Sequence, residues 1–202
     1  DGSEPTAASP RYTGPVEIGK SARFRATALR EGGENASYSR EFAFSKSTGR
    51  PAVLNTKPND SYTFEGASLL VDGYHSRPVF TSGAWLGYLD EPLDVTIDMG
   101  GEQSYRSVEL ETLAEKGDWI FPPSSVTVWV SDNGTDFTEV ASVAVPEAKA
   151  GDADGIGRYR MQFPETSARY LKVVAQNAAA IPAWHPGAGS KGFLFVDEVV
   201  VE

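Results

Sequence analysis

The sequence predicts an all-β protein. Apolar and polar residues alternate along several segments, and this two-residue period is the pattern of a half-buried strand. The 202 residues include 20 glycines and 13 prolines, and 11% of them are aromatic, a mixture typical of turn-rich β proteins. No apolar period of 3.6 residues lasts beyond about two turns, so we expect any helices to be short.

The predicted strands follow one another along the chain, with turn residues between them. Three fall near the start, at 12–18, 21–29 and 38–44. Four more alternate clearly, at 93–99, 126–130, 159–163 and 171–173. The last, 193–201, is apolar on both faces, as expected for a strand that is covered on both sides. The turn signals are Gly100-Gly101, Pro122-Pro123, Asn133-Gly134 and Asp154-Gly155.

Composition excludes several classes of function. Asp and Glu number 28 against 18 Lys and Arg, for a net charge of −10, whereas nucleic acids and anionic membranes attract clustered positive charge. No apolar run approaches the roughly 20 residues of a membrane span. Cysteine is absent, so disulfides and cysteine-based metal or redox sites are excluded. We expect a monomer with no nucleic-acid partner and no membrane insertion.

The sequence contains no catalytic motif. Its two histidines are His75 and His185, and no nucleophile elbow, zinc-protease helix or phosphate-binding loop accompanies them. Residues 187–192 match Gly-x-Gly-x-x-Gly, but a strand follows where dinucleotide binding needs a helix N-terminus. We therefore predict that this chain is not itself an enzyme.

Two units joined by a linker are predicted. Residues 47–52 are polar and aperiodic and include Gly49 and Pro51, which suits a linker. Residues 1–46 are too few to bury much core alone, whereas residues 53–202 are enough for a single domain. Because the chain lacks an initial Met and opens inside the predicted turn Asp1-Gly2-Ser3-Glu4-Pro5, we expect a piece cut from a longer protein.

Three motifs mark the first unit: Asp1-Gly2-Ser3-Glu4-Pro5-Thr6, Tyr12-Thr13-Gly14-Pro15-Val16 and Phe24-Arg25-Ala26-Thr27-Ala28. With them, the unit resembles the small β-sandwich module that follows the catalytic domain of bacterial chitobiases and β-hexosaminidases. In that family one or two further strands precede the Asp-Gly-Ser-Glu-Pro turn, which implies that the module is truncated here.

A longer series of motifs runs through residues 53–202. In order, they are Leu69-Leu70-Val71-Asp72-Gly73, Trp85, Val95-Thr96-Ile97-Asp98-Met99-Gly100, Phe121-Pro122-Pro123-Ser124-Ser125-Val126, Val130-Ser131-Asp132-Asn133-Gly134, Ala168-Arg169-Tyr170-Leu171-Lys172-Val173 and Phe195-Val196-Asp197-Glu198-Val199. Their order and spacing resemble a discoidin domain, also called coagulation-factor type C, which bacterial enzymes carry as family 32 carbohydrate-binding modules. The resemblance implies a galactose-binding-like jelly-roll β-sandwich with Trp85 in its core.

The tract Ile181-Pro182-Ala183-Trp184-His185-Pro186-Gly187 is similar to the C-terminal end of family 20 β-hexosaminidases from gut Bacteroidetes. Together the resemblances imply a non-catalytic accessory region of a secreted glycosidase, in the periplasm or outside the cell. Its expected partners are galactose- or N-acetylhexosamine-type glycans and the catalytic domain of the same parent chain. The alternative is a structural domain that braces the catalytic domain and binds no sugar.

A structural calcium ion is also implied by the discoidin resemblance. The matching carboxylates are those of Asp72 and of Glu198 on the last strand, with backbone oxygens near Ala67, Gly73 and His75. Carboxylate and carbonyl oxygens are the ligands that Ca²⁺ prefers. The open alternative is that Asp72-Gly73 is only a turn and that Glu198 is a solvated strand residue.

Sugar recognition needs a flat aromatic ring for the C–H face and polar groups at its rim. Because the loops of a β-sandwich cluster at its ends, residues distant in sequence can meet there. The candidates are Tyr74, His75, Arg77, Trp119, Phe121, Trp184 and His185. For Trp184 and His185, contact with a sugar and packing against the parent's catalytic domain are equally open.

Overall fold

The structure, a computed structural model, describes residues 3–33 and 35–202. In this part of the chain the strands are β1 (Ala22–Ala28), β2 (Ala36–Phe42), β3 (Ala52–Leu54), β4 (Leu86–Tyr88), β5 (Leu93–Ala114), β6 (Ser125–Ser131), β7 (Thr138–Ala144), β8 (Gly155–Gln176) and β9 (Leu194–Val201). Short 3₁₀ helices separate some of them: η1 (Asp60–Tyr62), η2 (Gly66–Val71), η3 (Phe80–Ser82) and η4 (Lys116–Asp118). The predicted all-β class and short helices are confirmed.

The first unit contains a two-stranded antiparallel sheet in which Ala22 of β1 lies opposite Phe42 of β2. The strand predicted over residues 12–18 is wrong, because these residues form no strand. Pro15 lacks an amide hydrogen for a strand ladder, and the exposed Tyr12 and Val16 have no apolar layer to cover. Asp1 and Gly2, which begin the predicted opening turn, lie outside the described residues.

The larger sheet is antiparallel throughout and folds over on itself as a sandwich. Strands β5 and β8, each 22 residues long, pair along most of their length, with register shifts after Asp98 and after Tyr105. One layer consists of β3, the first half of β5, the second half of β8, β6 and β7. The other consists of β4, β9, the second half of β5 and the first half of β8.

Alternating residues of both layers form one apolar core. Strand β5 contributes Leu93, Val95, Ile97 and Met99, all fully buried, which confirms the period read from the sequence. Each such side chain contributes about 1.5–3 kcal/mol to folding. A second, smaller cluster contains Trp85, Leu113, Ile120 and Phe195. Trp85 has no exposed surface, so its predicted place in the core is confirmed.

Glycine has different roles at two of the predicted turns. Gly134, with φ of 76°, lies in the turn between β6 and β7, as its Asn-Gly dipeptide predicts. Gly100, with φ of 80°, lies inside β5, where its amide donates to the Asp98 carboxylate. There it shifts the strand register instead of ending the strand, since left-handed backbone suits a bulge as well as a turn.

Residues 43–50, which include most of the segment interpreted as a linker, lie along the sandwich. The amides of Lys46 and Gly49 donate to the carbonyls of Val201 (3.0 Å) and Val71 (2.7 Å). No helix in the described part of the chain has the length and apolar character needed to cross a membrane.

Candidate functional site

Three loop segments, 115–124, 145–154 and 177–193, converge at one end of the sandwich, which we call the loop end. The carbonyl of Ser124 accepts from the amide of Val145 at 2.8 Å, and its hydroxyl donates to the carbonyl of Asn177 at 2.9 Å. The amide of Phe121 donates to the carbonyl of Phe193 at 2.9 Å. These bonds bring together side chains that lie up to about 70 residues apart in sequence.

His185 is buried between two of these loops. Its Nε2 lies 2.9 Å from the carbonyl oxygen of Lys116, and its Nδ1 lies 3.0 Å from the amide nitrogen of Gly187. Since the Gly187 amide can only donate, Nδ1 is the acceptor and Nε2 carries the hydrogen. Both ring nitrogens of His185 are therefore engaged inside the protein.

Trp119 has a backbone conformation that few tryptophans adopt. Its φ of 63° is left-handed, and its amide donates to the same Lys116 carbonyl at 3.0 Å. The indole packs over Gly187, where an added Cβ would come within 2.8 Å of the ring. The side chain is nevertheless 42% exposed, so one part of the indole packs against the loop while another faces solvent.

Trp184 is the second exposed indole of the loop end, with 39% of its surface accessible. Its Nε1 donates to the carbonyl of Ala148 at 3.0 Å. Its ring centroid lies 5.6 Å from that of His185 and 6.3 Å from that of Phe121. Trp184 and Trp119 each pack edge-to-face on His185, so one buried imidazole supports both indoles.

A cleft of about 350 Å³ opens at the loop end, with Phe121 in its wall. Its apolar walls come from all three loops: Phe121, Pro122, Pro123, Val145, Pro146, Ala148, Ile181 and Pro182 among others. Glu147 supplies the charged side chain of the lining. Of these residues, only Phe121 is a sugar-binding candidate predicted from the sequence. The only sequence signal for the cleft was its clustered prolines and the run Ala178-Ala179-Ala180. These residues indicate turns, so they did not predict a cleft.

Acidic groups surround the loop end. The ammonium group of the buried Lys116 forms an ion pair with Asp154 and donates to the carbonyl of Asp152 at 2.9 Å. Its positive charge is therefore paired within the protein. Burial and the neighbouring Asp118 raise the pKa of Glu115. Across the three segments, five carboxylates stand against three lysines, so the loop end is net acidic, which disfavours anionic ligands.

The other sugar-binding candidates have partners elsewhere. The Tyr74 ring lies beneath the Arg40 guanidinium, 3.5 Å from its carbon. His75 Nδ1 lies 2.9 Å from the buried Glu111 carboxylate on β5, and this hydrogen bond raises the pKa of His75 despite partial burial. Arg77 is exposed, and its carbonyl accepts from the Trp85 indole at 3.0 Å. The structure thus gathers Trp119, Phe121, Trp184 and His185 into one cluster and places these three outside it.

Asp72 and Glu198, the predicted metal-binding carboxylates, flank one turn. The Glu198 carboxylate accepts from the amide of Gly73 at 3.2 Å, and the Asp72 carboxylate accepts from the amide of Tyr74 at 2.7 Å. Burial, followed by repulsion from Asp72 and Asp197, raises the pKa of Glu198 to about 10. Burial also raises the pKa of Asp72 and, with the Glu111 charge, that of Asp197 to about 8.

These residues fit a hard cation through their oxygen atoms. Glu198 is fully buried and its Oε1 has no hydrogen-bond partner. Ala67 is half-buried in η2, and the carbonyl of Gly73 accepts from the amide of Ala43 at 2.7 Å. No cluster of three or more His, Cys, Asp or Glu side chains poised for a metal occurs in residues 3–33 and 35–202. A cation at this turn would therefore need two carboxylates supplemented by backbone carbonyls.

The fold and the arrangement of its loops define a discoidin-like β-sandwich domain. The F5/8 type C domain family matches residues 55–191, more than half of the chain. The chain therefore belongs to the F5/8 type C domain family. Residues 1–40 match the chitobiase/beta-hexosaminidase C-terminal domain, in agreement with the resemblance stated for the first unit. No curated protein matches the chain.

Similar solved structures include modules from enzymes that act on polysaccharides. Chitosan-binding module 1 of a chitosanase/glucanase from Paenibacillus sp. IK-5 is 18% identical, with a TM-score of 0.50 over 78% of this chain and 98% of that chain. Module 2 of that enzyme, in complex with chitotriose, is 17% identical, with a TM-score of 0.50 over 78% of this chain and 98% of that chain. A Clostridium perfringens module in complex with GalNAc-beta-1,3-galactose is 16% identical, with a TM-score of 0.49 over 75% of this chain and 93% of that chain. The two Paenibacillus modules share the fold of this chain.

Proposed function

We propose that this chain is a non-catalytic carbohydrate-binding module that binds galactose- or N-acetylhexosamine-type glycans at the loop end. The observation that carries the proposal is the pair of partly exposed indoles, Trp119 and Trp184, at the same end of the sandwich as an apolar cleft. A sugar presents an apolar C–H face to an aromatic ring, and its hydroxyls bond to polar groups at the rim. The family match and the sugar-binding modules of similar fold support this role.

His185 has a supporting role in this proposal. Because its two nitrogens bond to Lys116 and Gly187, it orients the indoles and leaves direct contact with the sugar to them. The excess of carboxylates at the loop end favours neutral sugars over sialylated or uronic ones.

The test is calorimetric titration of the chain with galactose, N-acetylgalactosamine, N-acetylglucosamine and short mucin-type glycans. We expect millimolar to sub-millimolar binding, or about −4 to −5.5 kcal/mol. Trp119→Ala and Trp184→Ala should each abolish measurable binding. Trp129→Ala removes an indole that instead packs near Lys172 on β8. This variant should bind the glycans as the unaltered chain does. Absence of binding to every glycan would overturn the proposal.

We further propose that Asp72 and Glu198 hold a structural calcium ion with backbone carbonyls near Ala67, Gly73 and His75. The supporting observation is the buried, unpartnered Oε1 of Glu198 beside the carboxylates of Asp72 and Asp197. Accumulated negative charge in a buried site is stabilised by a bound cation. The ion would join segments far apart in sequence and hold the Asp72 turn against β9.

Calcium binding is measured by calorimetry after chelation, together with thermal unfolding. We expect Ca²⁺ to raise the melting temperature of the parent chain. Glu198→Gln keeps the size of the side chain but removes its charge, and should lose both binding and the thermal shift. Glu109→Gln alters a carboxylate of β5 that pairs loosely with Arg158, and should keep both. A parent chain that shows neither effect contradicts the calcium proposal.

The first unit supports a parent enzyme of the β-N-acetylhexosaminidase class, since residues 1–40 match a domain of those enzymes. On this proposal the chain tethers a secreted glycoside hydrolase to its glycan, in the periplasm or outside the cell. Expression with and without the candidate catalytic domain would test it, by comparing hydrolysis of an insoluble glycan with that of a small soluble substrate. Only hydrolysis of the insoluble glycan should depend on Trp119 and Trp184.

A structural brace is the second candidate. The first unit exposes Tyr12, Val16, Leu29 and Tyr38, each more than half accessible, and a catalytic domain docked on this unit would cover such apolar side chains. A brace would stabilise the catalytic domain without binding sugar. On this hypothesis the unaltered chain binds no glycan, and Tyr12→Ser combined with Val16→Ser lowers the thermal stability of the full-length enzyme.

A further inference from the structure

The connecting segment 43–49 contacts the two chain segments that carry the candidate calcium carboxylates. On one side, the amide of Ala43 donates to the carbonyl of Gly73, and the amide of Gly49 donates to that of Val71, both at 2.7 Å. These bonds flank Asp72. On the other side, the segment bonds to β9, which carries Glu198.

The contacts with β9 are equally regular. The fully buried Ser47 donates its hydroxyl to the carbonyl of Val199 at 2.5 Å. The amide of Lys46 donates to the carbonyl of Val201, whose own amide donates to the Ser45 hydroxyl. The segment therefore bonds to the Asp72 turn through residues 43 and 49 and to β9 through residues 45–47.

Side chains of residues 40–48 also pack against the turn that carries Asp72. Gly73 has φ of 74°, and a Cβ there would come within 2.9 Å of the Phe44 ring and 3.0 Å of Thr48. Phe42 pairs with Tyr74 as an isolated antiparallel bridge, and their rings lie 6.3 Å apart. The guanidinium carbon of Arg40 lies 3.5 Å from the centroid of the Tyr74 ring. The turn that bears Asp72 is thus packed on one side by the first unit and bonded on the other to Glu198.

We propose that residues 40–49 are positioning residues for the cation site, so that docking of the β1–β2 hairpin and binding of Ca²⁺ stabilise each other. This inference rests on the proposed calcium site. The segment sets the separation of the Asp72 turn from Glu198, and a correctly spaced pair of carboxylates loses less conformational freedom when an ion binds. By linkage, the bound ion must hold the segment with the same coupling free energy.

The coupling predicts that distant packing changes calcium affinity. Phe44→Ala removes the ring beneath Gly73 and should weaken Ca²⁺ binding about 5- to 20-fold by calorimetry, whereas Phe44→Leu should restore most of the loss. Tyr38→Ala removes a more exposed ring of β2 that contacts Phe24, and should leave the affinity unchanged. Tyr38→Ala controls for the general effect of removing an aromatic ring from the first unit. Recovery of Ca²⁺ affinity in Phe44→Leu would show that the loss in Phe44→Ala comes from packing at Gly73.

The reciprocal effect is measured by amide hydrogen exchange on the intact chain with Ca²⁺ or with chelator. The amides of Ala43 and Gly49 should exchange at least about fivefold more slowly with Ca²⁺, while the amide of Thr27 on the hairpin should not change. Three outcomes are distinguishable. Slowed exchange with weakened binding in Phe44→Ala supports the coupling; calcium binding without either effect overturns it; a parent chain that binds no calcium overturns the calcium site itself.

Discussion

His185 Nε2 and the carbonyl oxygen of Lys116 lie 2.9 Å apart, although 69 residues separate them in sequence. The same carbonyl accepts the amide of Trp119 at 3.0 Å. One oxygen therefore fixes both the left-handed backbone of Trp119 and the ring on which the two indoles pack. The histidine that the sequence offered as a sugar ligand is, in the structure, an internal support of the loop end.

Replacing this support should loosen the loops and lower stability. His185→Ala leaves the Gly187 amide without its acceptor and opens a void beneath both indoles, which we expect to cost about 1–3 kcal/mol of unfolding free energy. Urea unfolding followed by tryptophan fluorescence measures the change. The exposed neighbour Ala188→Ser is the control and should stay within about 0.5 kcal/mol of the parent. Equal stability of the two variants would show that His185 supports nothing.

Gly187 should be intolerant of a side chain because of the Trp119 indole. A Cβ at Gly187 would lie 2.8 Å from two ring carbons, so Gly187→Ala should displace the indole, at a cost of about 1–3 kcal/mol. The displacement is visible as a shift of the Trp119 indole N–H signal in an NMR spectrum.

Gly117 provides a matched control on the neighbouring loop. A Cβ there meets no atom within 4 Å, and its backbone is not left-handed. Gly117→Ala should therefore leave the indole signal in place and the stability unchanged or slightly higher. If both glycine variants shift the signal equally, the contact between Gly187 and Trp119 does not hold the ring.

Much of the sandwich could be predicted because alternation and burial report the same physics. Residues 93–99 and 126–130 alternate, and their apolar members are buried, since one face of each strand covers the core. Strands β3, β4 and β7 were missed: β3 and β4 have three residues each, too few to show a two-residue period, and in β7 the two valines, Val140 and Val143, lie three residues apart. Residues 12–18 had such a period without a partner strand, and hydrogen bonding to a neighbour is what a strand requires.

The candidate site was predictable by residue type but not by contact. Exposure of Trp119 and Trp184 follows from flanking Asp, Pro and Gly residues, which punctuate loops. The engagement of Tyr74 by Arg40 depends on the first unit lying against the Asp72 turn, and no local pattern encodes that placement. The apolar cleft was missed for the same reason, because its walls come from three separate loops.

An ion pair between β5 and β8 should make one carboxyl group unusually acidic. Arg169 donates two hydrogen bonds to Asp98, at 3.0 and 2.8 Å, and with the Gly100 amide it lowers the pKa of Asp98 to about 2. A lowered folded-state pKa means that the pair stabilises the fold above about pH 4 and that this contribution is lost as the pH falls through 2.

Removing the guanidinium should reverse this shift. In Arg169→Gln, the pKa of Asp98 should rise toward its ordinary value of about 3.9, as measured by NMR titration of the carboxyl carbon. Arg160→Gln removes a cation that pairs with Glu202 instead, and should leave the Asp98 titration unchanged. An unaltered Asp98 pKa in Arg169→Gln would assign the shift to the Gly100 amide and the Arg50 charge.

Trp85 should respond to substitution in two separable steps. Its indole is fully buried and donates to the carbonyl of Arg77 at 3.0 Å. Trp85→Phe keeps most of the packing but leaves that carbonyl without the indole donor, at about 1–3 kcal/mol, whereas Trp85→Ala also opens a large cavity, at about 3–5 kcal/mol. Trp129→Phe, in a half-buried position on β6, should cost less than about 1 kcal/mol. Urea unfolding orders the three variants, and a Trp85→Phe variant as stable as Trp129→Phe would show that the Arg77 hydrogen bond contributes nothing.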